Sequence, residues 1–340
     1  MATIGTLKNL IDRFKTIDPD GSEAVVAELL SQENMLIDQM LFKEGNLPTG
    51  ERVSVRTGLP TTYWRMVNAG VPSSKATNAQ VDEQCAQVTA RSQVDVTIAK
   101  LNGNTNAFRL GESRAFIESL GQEVADTMFY GSAANPEEFV GLANRYTATT
   151  AGNGENILLA GGAGADNTSV WLLGLGENTI YGMFPKGSQA GLVHEDLGVG
   201  DAFESASSTA NRFRAYMDYY EWNVGLVVKD WRYGVRIANI DVSDLAGLSG
   251  SQEVTDATFL PKLMSRAYDR LPSMAGIKPV FCMNRTAASL LKVAAMEKSS
   301  SAVTIEEGLT QFGQRIMQMK FLGVPVLIND AITNAETAIS

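Results

Sequence analysis

Residues 112–146 read ESRAFIESLGQEVADTMFYGSAANPEEFVGLANRY. Phe116, Ile117, Leu120, Val124 and Met128 recur at three- and four-residue intervals, which predicts a helix from Glu112 to Tyr130 with one apolar face. At ~1.5 Å per residue such a helix spans roughly 30 Å. Gly131 ends it, Asn135-Pro136 makes a turn, and Phe139–Tyr146 reads as a strand.

Upstream, residues 46–105 are dominated by Pro, Gly, Thr, Ser, Asn and Gln, with too few apolar residues for a core of their own. Val53-Ser54-Val55 and Val94-Asp95-Val96-Thr97-Ile98 alternate as two strands of a long hairpin, with Ala69–Ser74 among the connections near its tip. A hairpin of that length needs a neighbour to lie on. Deleting residues 60–90 is therefore expected to leave a folded chain that can no longer engage that neighbour. Before it come two helical stretches. One carries Leu7, Leu10, Ile11 and Phe14 and stops at Asp18-Pro19-Asp20-Gly21; the other runs from Ser22 through Leu36, Ile37, Met40 and Leu41 to Gly45.

Downstream, Gly152–Gly164 reads as a mobile surface loop. Trp171/Leu173/Leu175, Trp222/Val224/Leu226/Val228 and Trp231/Tyr233/Val235/Ile237 then alternate as long antiparallel ribbons. After the Gly- and Ser-rich residues 247–251, a helix is expected over Asp256–Leu271. A strand (Pro279–Met283), a helix capped by Thr286, a helix over Ile305–Met317 and a strand over Phe321–Ile328 follow. Pro325 cannot donate to a ladder, so the last strand is expected at an edge or paired on one side only. The fold class is α+β.

The chain has 340 residues, 44% of them apolar, enough for a full-sized core. Charged residues make up 19%, below the ~25% of ordinary soluble domains, which hints at surface reserved for other chains. The net charge of −10 and scattered Lys and Arg leave no basic stripe for a phosphate backbone, so specific nucleic-acid binding is not expected. Cys85 and Cys282 are far apart with no CxxC pair, which suits a reducing compartment and makes a disulfide between them the minority reading. No apolar run approaches the ~20 residues of a membrane span and no leader pattern opens the chain, so it reads as cytoplasmic.

The inventory for catalysis is poor. His194 is the only histidine, which excludes HExxH and other multi-histidine metal sites. Gly187-Ser188-Gln189-Ala190-Gly191 does not have its serine at the centre of a GxSxG elbow, and Gly161–Asp166 lacks the GK[ST] end of a phosphate loop. No catalytic, cofactor-binding or metal site is expected, and His194 is read as a surface histidine. Arg232 and Arg236 share a strand phase, so two guanidiniums are expected to project together; phosphate binding is the lesser reading, and pairing with carboxylates within the subunit or, preferably, across an interface between copies is the favoured one.

The helix with its following GSAANPEEFVGLANRY resembles the spine helix of tailed-bacteriophage major capsid proteins and the GL strand after it. The order of parts is also similar to that family: an arm, a long polar hairpin, the spine helix, peripheral strands, and a compact apical part with PVFCMNRTAASLLK before a closing FLGVPVLINDAI. GLPTTYWRMVNAGVPSSKAT, FRLGESRAFIESLGQEVADTMFYG, LGENTIYGMFPKGSQAGL and DWRYGVRIANIDV are similar to its short-tailed phage branch.

The resemblance implies a tailed-phage capsid fold divided into an N-terminal arm (1–45), an extended β-hairpin loop (46–105), a peripheral strand-rich domain with the spine helix 112–130 (106–250), an apical α+β domain (251–320) and a closing strand (321–340). It implies a coat protein, not an enzyme, that assembles with itself as pentamers and hexamers into an icosahedral shell around double-stranded DNA. Scaffolding, portal and decoration or cement proteins are the implied partners, with assembly in the host cytoplasm and a final place in the virion. Arg232, Arg236, Lys75 and Trp64 are the candidate contacts between subunits. No Lys–Asn pair can be assigned to a covalent cross-link by motif. An encapsulin-like nanocompartment subunit is the first rival; a soluble enzyme using His194 and the Gly152–Gly164 loop is the second.

Overall fold

The computed structural model describes residues 31–101, 104–203, 211–245, 259–297, 303–309 and 315–340. The two N-terminal helical stretches fall outside it up to residue 30. The described part of the second holds only a short helix, α1 (Met35–Gln39); Met40 is already extended and β1 (Phe42–Glu44) follows, so the expected run to Gly45 breaks there.

The chain divides into two compact units. The first is built from the segment ending at Gln32, Gln87–Val124 and Gln189–Asn223; the second from Glu33–Ala86, Ala125–Ser188 and Val224–Ser340.

In the second unit β2 (Gly50–Gly58) pairs antiparallel with residues 77–84 of β3 (Thr77–Asp95), in the register Val53↔Val81; from Gln87 on, β3 belongs to the first unit. The partner of Val53-Ser54-Val55 is thus Ala79–Val81, not Val94–Ile98; Val96–Lys100 is instead a helix, α2, capped by the Asp95 carboxylate on the Thr97 amide. Deleting residues 60–90 would remove most of β3 and leave β2 unpaired, so the dispensable piece is the shorter tip.

The spine helix, α3 (Thr105–Tyr130), begins earlier than its apolar pattern predicts. Leu120, Val124 and Met128 are buried, whereas Ile117 is exposed. Phe139–Tyr146 does not form the expected strand: Leu142–Arg145 is a single helical turn, α4, whose Leu142 and Tyr146 are fully buried.

Gly152–Gly164 is not a free loop. Asn156 is buried and donates to the Trp231 and Gly234 carbonyls, and β4 (Ile157–Leu159) pairs parallel with β9 (Gly234–Asp241). β5 (Asn167–Leu175) is buried on both faces, because β9 and β10 (Lys278–Met283) flank it in the sheet and helices and aromatic side chains pack on it. β6 (Ile180–Phe184) pairs with the end of β8 (Arg212–Val228). With β11 (Val303–Leu309), β12 (Arg315–Phe321) and β13 (Val324–Ile328), the strand order is β11–β12–β13–β10–β5–β6–β8–β3–β2. The core gathers Leu172, Val235 and Ile237 with Leu260, Leu263, Met264 and Ala267 of α5 (Phe259–Tyr268), and with Ala287, Ala288 and Leu291 of α6 (Arg285–Glu297). Asn284, not Thr286, caps α6, its Oδ1 accepting from the Ala287 amide at 2.8 Å.

The helix expected over Ile305–Met317 is replaced by two antiparallel strands, β11 (Val303–Leu309) and β12 (Arg315–Phe321). Two glycines, Gly308 and Gly313, weaken a helix there, and Met317, Met319 and Phe321 recur with period two. Leu322 and Gly323, both at positive φ, turn the chain into β13 (Val324–Ile328). β13 lies between β12 and β10, not at an edge. Pro325 is tolerated because the β10 ladder starts only at Val326.

In the first unit β7 (Leu192–Phe203) pairs with residues 212–222 of β8 as a long ribbon, bulged between Asp196 and Gly198. Val94, Ala99 and Phe108 form one small core, and Ala202, Ala215 and Met217 another.

Candidate assembly surface

Among the described residues the hairpin tip is the longest unbroken exposed stretch. Residues 59–76, between β2 and β3, take no regular structure and are exposed throughout. Trp64 is fully exposed, and Leu59, Met66, Val67, Val71 and Tyr63 stand out with it. Such a concentration of apolar side chains in solvent marks an interaction site. No Asp or Glu occurs between Arg52 and Asp82, while Arg56, Arg65 and Lys75 do, so the tip is locally cationic on a chain of net charge −10. Within it, the Ser74 hydroxyl donates to the Thr61 carbonyl at 2.8 Å.

The strands behind the tip are well tied. Arg52 and Asp82 face each other across the ladder and pair at 2.6 and 2.7 Å; the outer backbone of Arg52 is covered by Asn46, which accepts from its amide and donates to its carbonyl. On the opposite face Glu51 and Glu83 are direct cross-strand partners and both are buried. Arg145 holds Glu83 through two bonds of 2.6 and 2.7 Å, and the Tyr181 hydroxyl donates to Glu51 at 2.6 Å.

The two arginines read as a projecting pair are not brought together. Arg232 lies in a 3-10 turn (Trp231–Tyr233) before β9, exposed and chelating its neighbour Asp230 at 2.7 Å. Arg236 is 4% exposed within β9. It donates to Glu336 at 2.9 Å, to the Tyr146 carbonyl at 2.8 Å and to Ser169 at 3.1 Å, with its guanidinium 5.1 Å over the Trp171 ring. Arg236 is thus committed inside the fold. Lys75 and Trp64 sit on the exposed tip.

His194, half exposed, stacks on Tyr220 at 4.8 Å and lies 3.1 Å from Asp218. Asp218 is itself bound by Arg109 at 2.7 Å, and Arg109 also reaches Asp196 at 2.8 Å. The arrangement is an ion-pair network in the β7–β8 ribbon. Among the described residues no His, Cys, Asp and Glu cluster has the geometry to hold a metal ion. Cys85 and Cys282 are both free thiols, so the minority reading of a bridge between them fails. No helix among the described residues is long and apolar enough to cross a membrane.

A long helix, a hairpin with an exposed tip, a two-stranded ribbon and a mixed sheet make up an α+β fold like that of tailed-phage capsid subunits. A family model for major capsid protein GP7 matches residues 18–340, and the chain belongs to that family. Among solved structures it is similar to a chain of bacteriophage Epsilon15, with 28% identity, a TM-score of 0.73 and 98% of each chain covered. The bacteriophage JBD30 capsid matches at 11% identity and a TM-score of 0.43, covering 89% of this chain and 92% of that one. The SrpI encapsulin complex of Synechococcus elongatus matches at 10% and 0.43, covering 69% and 96%. Comparison with curated proteins gives no match. The protein is a capsid shell subunit of the virion, a structural and non-enzymatic class.

Proposed function

We propose that this subunit assembles as pentamers and hexamers that close into an icosahedral shell around double-stranded DNA, with the hairpin tip of each copy seated on a neighbour. The observation that carries the reading is the tip itself. Trp64 and its apolar neighbours have no cover among the described residues, although the strands leading to them are firmly paired. A surface complementary to a different surface of the same molecule makes heterologous contacts, which close into rings when the rotation between copies closes.

Trp64, Lys75 and Arg232 are the proposed contacts between copies; Arg236 supports the fold from inside. The arm (1–45), hairpin loop (46–105), peripheral domain (106–250), apical domain (251–320) and closing strand (321–340) are the proposed functional divisions. The net charge of −10 suits a wall that contains DNA without sequence-specific adhesion. Scaffolding, portal and decoration proteins are proposed partners, with assembly in the host cytoplasm. Cryo-electron microscopy of particles purified from infected cells tests this. Pentamers and hexamers around nuclease-protected DNA are expected; particles of another symmetry, or without DNA, would contradict it.

A further inference from the structure

Glu51 and Glu83 occupy directly opposed positions of β2 and β3, at the root of the hairpin, and are 8% and 7% exposed. Opposed residues of an antiparallel pair project from the same face with their Cβ atoms about 5 Å apart, and like charges there repel. Burial strengthens that repulsion, because the surrounding dielectric is low.

The cations are shared unevenly. Arg145, the last residue of the helical turn α4, grips both oxygens of Glu83 and is fixed in turn by the Val140 carbonyl at 3.1 and 3.2 Å. Glu51 receives only the Tyr181 hydroxyl on Oε1, and its Oε2 is buried with no hydrogen-bond partner. Burial, then the Glu51 hydrogen bond and charge, push the Tyr181 hydroxyl above its usual range, which keeps it a donor. Lys43 is exposed and engaged with Glu177 at 2.5 Å, and acts on Glu51 only through space. Two buried carboxylates therefore face one half-buried guanidinium. A side chain on Gly50 would run into the Glu83 carbonyl, so the two backbones approach closely at this point.

We infer that the hairpin root is an electrostatically loaded joint: Glu51 pushes against Glu83, Arg145 restrains it, and the balance lets the hairpin reorient as copies come together. The inference rests on the shell reading only for that last step. In the isolated chain the load itself is a property of the ladder. Glu51→Gln would remove it while keeping an acceptor for Tyr181. Arg145→Met would remove the restraint and leave both carboxylates buried.

Hydrogen exchange of the full-length chain measures the joint directly. In Glu51→Gln the amides of residues 50–55 and 79–85 should exchange about five-fold more slowly than in the wild type. Arg145→Met should speed them by more than about a hundredfold, and by clearly less in the Glu51→Gln background. Arg145→Lys keeps the charge without the two-pronged grip and replaces Arg145→Met if that variant does not fold. Particle formation followed by light scattering should be slower for Glu51→Gln than for wild type. Unchanged or faster exchange in Glu51→Gln, or an equal cost of losing Arg145 in both backgrounds, would overturn the loaded joint. Equal assembly rates would overturn its link to reorientation. Wild-type chain that forms no particles would count against the shell reading and leave the exchange result standing.

Discussion

Glu336, close to the C-terminal end, pairs at 2.9 Å with Arg236 in the middle of β9, and both side chains are buried. The same carboxylate accepts from the Tyr130 hydroxyl at 2.6 Å and from the Ser169 hydroxyl, so one glutamate ties the last segment to the spine helix, to β5 and to β9. Every buried partner in this knot is answered, which is what a charge pair in a sheet interior requires.

Removing one side of the pair leaves the other charge stranded. Glu336→Ala and Arg236→Met are each expected to cost about 3–5 kcal/mol in denaturant unfolding. Glu336→Gln, which retains an acceptor for Arg236, should cost less. If Glu336→Ala unfolds like the wild type, the C-terminal segment is not held in this way.

The cap of α6 separates two neighbouring residues. Asn284→Ala removes the side chain that accepts from the Ala287 amide and should lower stability by about 1–2 kcal/mol. Thr286→Ala should stay within about 0.5 kcal/mol. Thermal unfolding of the two variants decides, and the reverse order would move the cap to Thr286.

Asp330 supplies a pH signature. Burial works to raise its carboxyl, but the Arg285 hydrogen bond and the Glu33 amide outweigh burial and hold it below the ordinary carboxylate value. A depressed carboxylate stabilises the fold above its unfolded pKa, and that contribution is lost as the pH falls through the folded one. Asp330→Asn should therefore lower stability by about 1 kcal/mol at neutral pH, and the gap should close under acid. A gap independent of pH would show that the charge is not what matters.

The spine helix, the capsid family and the hairpin were legible in the sequence because each has a strong local sign: apolar residues at helical spacing, family-like blocks, and a coreless polar stretch between short strands. The strand register was not. Val94–Ile98 alternates as well as Ala79–Val81 does, and only the Arg52–Asp82 and Val53–Val81 pairings across the ladder settle which one faces β2. Ile305–Met317 carries helical spacing and strand alternation together, and pairing between β11 and β12 decided for strands. Arg236 looked like an outward residue because sequence phase tells which face a side chain takes, not whether that face is covered. Its partner Glu336 is remote in sequence, as is Arg145 from Glu83, and no local pattern announces such pairs.

The central claim is that exposed tip residues join copies of this chain into a shell. Electron microscopy with sedimentation velocity, comparing the purified wild type with Trp64→Ser and with residues 60–75 replaced by a short turn, tests it most directly. All three chains should unfold at the same temperature, the wild type should form closed shells, and the two variants should remain small soluble species. Shells from the tip-deleted chain, or only small discrete oligomers of the wild type under every condition, would contradict the account.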